Sequence, residues 1–299
     1  MPDKQITSHL SQNTLLTTAI NSWESYLADQ GRSPNTIKAF LSDVRLLTTF
    51  LPDVTLGKIT TKDLNRYFEW MEKERDVPCS PKTLARRITA TKSLFRWLHQ
   101  FGVLIVDPAE KVAQRSAISP LPQVLTPKEY EDVLLAADRH RRGQKPDARS
   151  YTLVYLLLST GIKKSETLGI NLDHLDLDSP NGAMVFIKYA TPANRYKERK
   201  LPLPDDWVPA YEEYIAQYHP EEKLFPWSPR RLEYLLEDIG NEAGLNKHLS
   251  FDMCRWTCAL NDYHAGEEPD KIRQKLGVSK IQWRELFIKL KQLAGSSEA

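Results

Sequence analysis

Met184-Val185-Phe186-Ile187-Lys188 and Lys200-Leu201-Pro202-Leu203 flank the polar segment YATPANRYKER, residues 189–199. Both runs are short and rich in strand-forming residues, and the segment between them is suited to a turn, so the stretch predicts a β-hairpin. The residues around it have a helical period instead. Downstream, apolar residues recur at helical spacing over about 206–217, 229–243, 252–265, 268–276 and 281–293. Upstream, Tyr151 to Ser159 is an apolar helix, residues 139–149 are polar and predict a loop, and Thr126-Pro127 is a helix start. A hairpin set among helices predicts a mixed, mainly helical domain with a small antiparallel sheet.

Further upstream the pattern breaks. Asp107-Pro108 and Ser119-Pro120-Leu121-Pro122 favour extended backbone, because a proline disfavours helix in the residue before it. This predicts a linker at about 112–124 and two domains, 1–118 and 119–299. The first is helical throughout. Leu16, Ile20, Trp23, Tyr26 and Leu27 share a helix face that stops at Gly31. Ser33-Pro34 opens a second helix through Phe40, Val44, Leu47 and Phe50. Thr60 or Thr61, with Asp63 behind it, opens a third with Leu64, Tyr67, Phe68 and Met71. Ser80-Pro81 opens a fourth, with Leu84, Ile88, Leu94, Phe95 and Leu98 inward and Lys82, Arg86, Arg87, Lys92 and Arg96 outward.

The composition fits two cores, with 41% hydrophobic and 27% charged residues in 299. No run of 18 apolar residues offers a membrane span, and the polar start MPDKQITSHLSQ has no signal-peptide core. Cys79, Cys254 and Cys258 form no paired framework, which predicts a reducing cytoplasm, and Cys254 and Cys258 lack the further spaced ligands that zinc needs. No cofactor or metal is expected. The net charge is only +2, but residues 1–119 carry 16 basic and 12 acidic residues, and the rest carry 25 and 27. The first domain is therefore the better electrostatic footprint for phosphate.

Several segments, in order, resemble the tyrosine recombinase (phage integrase) family, particularly its Xer-like branch. GRSPNTIKAFLSDVRLLTTF (31–50) and SPKTLARRITATKSLFRWLHQFGVLIVDPAEKV (80–112) are similar to its core-binding segments, and PLPQVLTPKEY (120–130) to its entry into the catalytic domain. TGIKKSETLGI (160–170), YKERKLPL (196–203), DMCRWTCA (252–259) and LGV (276–278) followed by Phe287 resemble its catalytic boxes. The resemblance covers roughly residues 15–290. It implies a two-domain fold: a helical, SAM-like core-binding domain and a mixed α/β catalytic-type domain, closing as a C-shaped clamp on duplex DNA. It also implies cleavage by attack of a tyrosine oxygen on a backbone phosphate, with cations on the transition-state oxygens and a lysine that protonates the leaving sugar oxygen.

Carried over position by position, the site is altered. The first arginine becomes Lys163, which keeps charge but loses the bidentate fork. The hairpin lysine becomes Asn194, or Arg195 with a one-residue slip, with Lys188 and Lys197 nearby. The first histidine becomes Asp252, the second Val278, and the nucleophile Phe287. Arg255 is retained. Arg255 either faces phosphate or pairs with Asp252, and Lys163 and Lys164 either contact phosphate or form a solvated helix start. Candidate DNA contacts are Lys82, Arg86, Arg87, Lys92, Arg96, Lys163, Lys164, Lys197, Arg199, Arg230, Arg231 and Arg255. His248 reads as a loop residue and Tyr263 as packing.

Because a phenyl ring has no oxygen to attack with, the expectation is a double-stranded DNA binder that does not cut. It would serve as a regulator, a repressor or an architectural partner of an active recombinase in the nucleoid. The alternative is an active site-specific recombinase using Lys163, Lys197 and Arg255 with another nucleophile. Trp283, Leu286, Phe287, Leu290 and Leu293 form an apolar stripe that could join two copies.

Overall fold

The computed structural model describes residues 7, 9–115, 120–180 and 182–297. The chain divides into two compact units, residues 1–120 and 121–299. The expected boundary residues 118 and 119 lie outside the described residues.

Four helices build the first unit: α1 (Leu16–Asp29), α2 (Pro34–Phe50), α3 (Thr61–Lys73) and α4 (Pro81–Gln100). α1 starts without a side-chain cap, and the other three start where the capping residues predict. The Ser33 and Ser80 side chains accept from the backbone N–H three residues on, with proline behind each. Thr60 and Asp63 form a reciprocal capping box. α4 packs on α2 and α3, and Trp23, Leu47, Tyr67, Phe95 and Trp97 are fully buried between the helices. Asp43 is buried too. Arg86 Nη1 lies 2.8 Å and Arg87 Nε 3.5 Å from its two carboxylate oxygens, while the Tyr67 hydroxyl donates to its backbone carbonyl.

The second unit holds α5 (Pro127–Arg142), α6 (Arg149–Thr160), the single turn α7 (Lys164–Thr167), β1 (Leu175–Asp176), β2 (Met184–Ile187), β3 (Arg199–Pro202), α8 (Trp207–Tyr218), α9 (Pro229–Glu242), α10 (Phe251–His264), α11 (Pro269–Lys275) and α12 (Lys280–Ser297). The predicted hairpin is present. Val185 pairs with Leu201 and Ile187 with Arg199, so Val185, Ile187 and Leu201 face the core together. The polar segment between the strands carries a 3₁₀ stretch, Pro192–Lys197, and β1 adds a third antiparallel strand that the sequence pattern does not announce. α5 also runs further than expected, through Arg142. Its last turn is held by Arg141 on Glu213 (2.5 Å), Arg142 on Asp138 (2.8 Å) and His140 on Glu242 (2.8 Å). These contacts hold helical a segment whose polarity alone reads as loop.

The core centres on α6, buried on most sides by α5, α8 and α10. A smaller apolar cluster joins α10, α11 and α12 through Leu260, Ile272, Leu276, Val278 and Leu290. The expected apolar stripe of α12 packs there: Leu290 and Leu293 are buried, and Trp283, Leu286 and Phe287 are partly so. Ile281 and Ile288 point outward. Among the described residues no helix is long and apolar enough to cross a membrane.

Candidate active site

The site lies where the ends of α6, α10 and α11 converge. Gly161 ends α6 at φ +61°, a left-handed conformation in which a side chain is strained, and a Cβ there would lie 3.0 Å from Leu276 and 3.2 Å from Cys258 Sγ. This close approach brings the Gly161 carbonyl to Arg255. Arg255 Nη1 donates to it at 2.5 Å, and Nη2 donates to the Leu276 carbonyl at 2.6 Å. Arg255 is thus fixed by backbone, and no ion pair among the described residues joins it to Asp252. Asp252 is exposed in the first turn of α10, where a carboxylate suits the positive end of the helix.

Lys163 stands beside Arg255. Its Nζ is 3.3 Å from the Gly277 carbonyl and 3.9 Å from Glu166 Oε1. Glu166 is the buried hub. Arg199 donates to both its oxygens, at 3.1 and 3.0 Å, the Tyr189 hydroxyl donates to Oε1, and the Lys163 backbone N–H donates to Oε2 at 2.8 Å. Burial pulls the Glu166 carboxyl upward, but the Arg199 guanidinium outweighs it and holds it below the usual range. Arg199 also donates to the carbonyls of Lys275 and Lys197. It therefore ties β3, the 3₁₀ turn and the end of α11 to a single carboxylate.

The charges of Glu166, Arg255, Lys197 and Arg199 all act on Lys163, and that of Asp252 acts on Arg255. Burial, together with the positive charges of Arg255, Lys197 and Arg199, brings Lys163 down to about 8 despite Glu166. Such a lysine is charged at neutral pH yet able to give up a proton. The arrangement suits an added anion of phosphate size.

Lys163 and Arg255 open onto a cleft of about 740 Å³, also lined by Lys164, Arg230, Tyr234, His248 and Asp252. Lys164 pairs with Glu233 at 2.6 Å and thereby pins α9 to α7. Arg230 Nε donates to the Tyr234 hydroxyl at 2.8 Å. Arg231 is exposed but is not part of the cleft lining.

The other family positions lie elsewhere. Asn194 Oδ1 accepts from Lys197 Nζ at 2.8 Å, and Lys188 extends over the Phe186 ring. Val278 is buried apolar packing. Phe287 stacks on Trp283 and meets Tyr263 edge-on, with ring centroids 5.4 and 6.1 Å apart. Of the basic face of α4, Lys82, Arg86 and Arg96 are exposed. Arg87 is turned inward onto Asp43, and Lys92 donates to the carbonyls of Glu110 and Val112. Cys254 and Cys258 are buried thiols, pushed up by burial to about 12 and about 11. Among the described residues no group of three or more His, Cys, Asp or Glu could share a metal ion.

Glu166, Tyr189 and Tyr234 have no role in the sequence reading, and His248 reads there as loop. Tyr234 had a signal: it lies four residues after Arg230 on a predicted helix, so the two share a face. Glu166 had none, because its partner Arg199 is 33 residues away.

The phage integrase family pattern matches residues 123–289, and the phage integrase N-terminal SAM-like domain matches residues 20–102. This chain belongs to the phage integrase family. Among curated relatives it is 32% identical over 163 residues to tyrosine recombinase XerC of Mycobacterium sp. (strain JLS), covering 52% of this chain and 53% of that one. It is 34% identical over 161 residues to tyrosine recombinase XerC of Mycobacterium tuberculosis (strain CDC 1551 / Oshkosh), again covering 52% and 53%. The chain thus spans about half the length of the curated relatives it matches. By fold it is similar to a lambda integrase dimer bound to a COC′ core site, with TM-score 0.71 at 15% identity over 94% of this chain and 79% of that one. It is also similar to XerH recombinase in a post-cleavage complex with a palindromic difH substrate, with TM-score 0.69 at 16% identity over 99% and 92%.

These relatives correct the expectation of a binder that has lost catalysis. The curated proteins the chain matches bear the name of an enzyme, tyrosine recombinase, and nothing in them marks inactivity or a role in transcription. The expectation rested on position 287, where a phenyl ring has no oxygen, and the alternative of another nucleophile is the one these names favour. The cleft contains a tyrosine hydroxyl of its own.

Proposed function

We propose that this chain is a site-specific DNA recombinase of the phage integrase family that works through an altered set of side chains. The observation that carries this reading is the pair Lys163 and Arg255, held side by side on the carbonyls of Gly161, Leu276 and Gly277 and open to one cleft. Two preorganised cations on one phosphate stabilise the charge that builds on its oxygens as a bond to phosphorus forms. Lys163, brought down to about 8, takes the part of the proton donor to the leaving sugar oxygen. Lys197 backs it from the hairpin turn.

In this reading residues 1–118 grip the duplex as a core-binding domain through Lys82, Arg86 and Arg96, and residues 119–299 hold the scissile phosphate. The family and the names of the curated relatives support DNA as the substrate. Two copies on one duplex would meet through the outward face of α12, where Ile281 and Ile288 are exposed. Three unpaired thiols suit a reducing cytoplasm.

The test uses a duplex recovered by selection from random sequence. End-labelled and incubated with the full chain, it should give a nick and a covalent protein–DNA species on a denaturing gel. A duplex that is bound tightly and never nicked or captured would overturn the reading.

A further inference from the structure

We infer that Tyr234 supplies the attacking oxygen of strand cleavage. The inference rests on the recombinase reading and names the nucleophile that reading lacks. Position 287 offers only a phenyl ring, packed between Trp283 and Tyr263. An attacking group must reach the phosphate that the cations hold. Among the residues lining the cleft with Lys163 and Arg255, the tyrosine is Tyr234.

Tyr196 is exposed beside Lys197 but is not part of the cleft lining, and the remaining tyrosines near the site are committed. The Tyr189 hydroxyl donates to the buried Glu166. Tyr155 donates to Asp206 and Tyr214 to the Leu224 carbonyl. Tyr263 packs in the apolar cluster with Leu260, Ile272 and Phe287. Tyr234, by contrast, is 41% exposed, and its oxygen accepts from Arg230 Nε while the guanidinium lies over its ring, 5.1 Å from the centroid. Accepting that bond leaves the hydroxyl hydrogen free to be given away. The Lys164–Glu233 pair, one residue before Tyr234, holds this turn of α9 at the cleft.

The step balances. The Tyr234 oxygen forms a bond to the backbone phosphorus as the bond from phosphorus to the sugar oxygen breaks. The phenolic proton passes to the imidazole of His248 in the same cleft, and the departing sugar oxygen takes a proton from Lys163 Nζ. One phosphodiester is exchanged for another, so rejoining is the same step in reverse and needs no other reactant.

The covalent species formed with the selected duplex is digested with nuclease and trypsin and mapped by mass spectrometry. Tyr234 is the single tyrosine of the tryptic peptide 232–247, and that peptide should carry the nucleotide mass. Tyr234→Phe should keep its melting temperature and its affinity for the duplex while the adduct falls at least about a hundredfold. Tyr263→Phe should form it as the wild type does. An adduct on another peptide, such as 256–271 with Tyr263, or an undiminished adduct in Tyr234→Phe, would overturn this assignment alone. A wild-type chain that binds and forms no adduct would overturn the recombinase reading together with it.

Discussion

Lys163 is where the chemistry of single residues is most exposed to test. In the proposed reading its position beside Arg255 makes it a phosphate contact, and burial would make that contact depend on pH. In the free protein Lys163 is brought down to about 8, so it is charged below that pH and neutral above it. Affinity for duplex DNA, and any cleavage, should therefore begin to fall as the pH rises through about 8, well before ordinary lysines discharge near 10.5. Lys163→Arg keeps its charge throughout, so its affinity measured from pH 7 to 9.5 should stay flat. A wild-type profile just as flat would show that the ammonium is not in contact with phosphate. At this scale the sequence reveals the charge of Lys163 but not its burial, because Arg255 and Gly277 are brought beside it only by folding.

Elements are locked by a few side chains that cross between them. Gly277 lies at φ +59° after α11, and a Cβ there would fall 2.5 Å from Arg199 Nη1. Gly277→Ala should lower stability by about 2 kcal/mol through backbone strain and displacement of Arg199, and Tm by roughly 5 °C. Differential scanning calorimetry would show it. The loss should extend to DNA affinity, since the Leu276 and Gly277 carbonyls hold Arg255 and Lys163. In the first unit, Asp43→Ala would strand the part-buried Arg87 without its carboxylate. Urea unfolding should find a loss of about 3–5 kcal/mol. Helix starts at Ser33, Thr60, Ser80 and Thr126 are legible in the sequence because a cap is a local matter of three or four residues. The inward turn of Arg87 is not, since Asp43, which draws it in, lies 44 positions away on another helix. The end of α5 is illegible for the same reason, because Glu213 and Glu242 come from α8 and α9.

For the molecule as a whole, net charge says little and its placement says much. A chain of net charge +2 that binds a polyanion must do so through local clusters, and binding then releases counterions from the DNA. The logarithm of the association constant should fall linearly with the logarithm of salt concentration. Lys164→Ala and Arg230→Ala should each make that slope shallower by about 1. Filter binding across a salt series checks it, and an unchanged slope in both variants would remove this cleft from the DNA contact. The two-domain plan is legible from punctuation and hairpin alone, whereas the working atoms of the site are not. Position 287 reads as a loss in one dimension, while in three dimensions a tyrosine from α9 stands in the cleft.

Glu166 gives the cations behind the cleft a resident counter-ion. Like charges gathered around Lys163 would otherwise repel one another and loosen the joint between α6, α10 and α11. The carboxylate keeps them assembled at rest and neutralises only part of their charge. The remainder is left as positive charge that attracts an added anion, and the site keeps its shape without one.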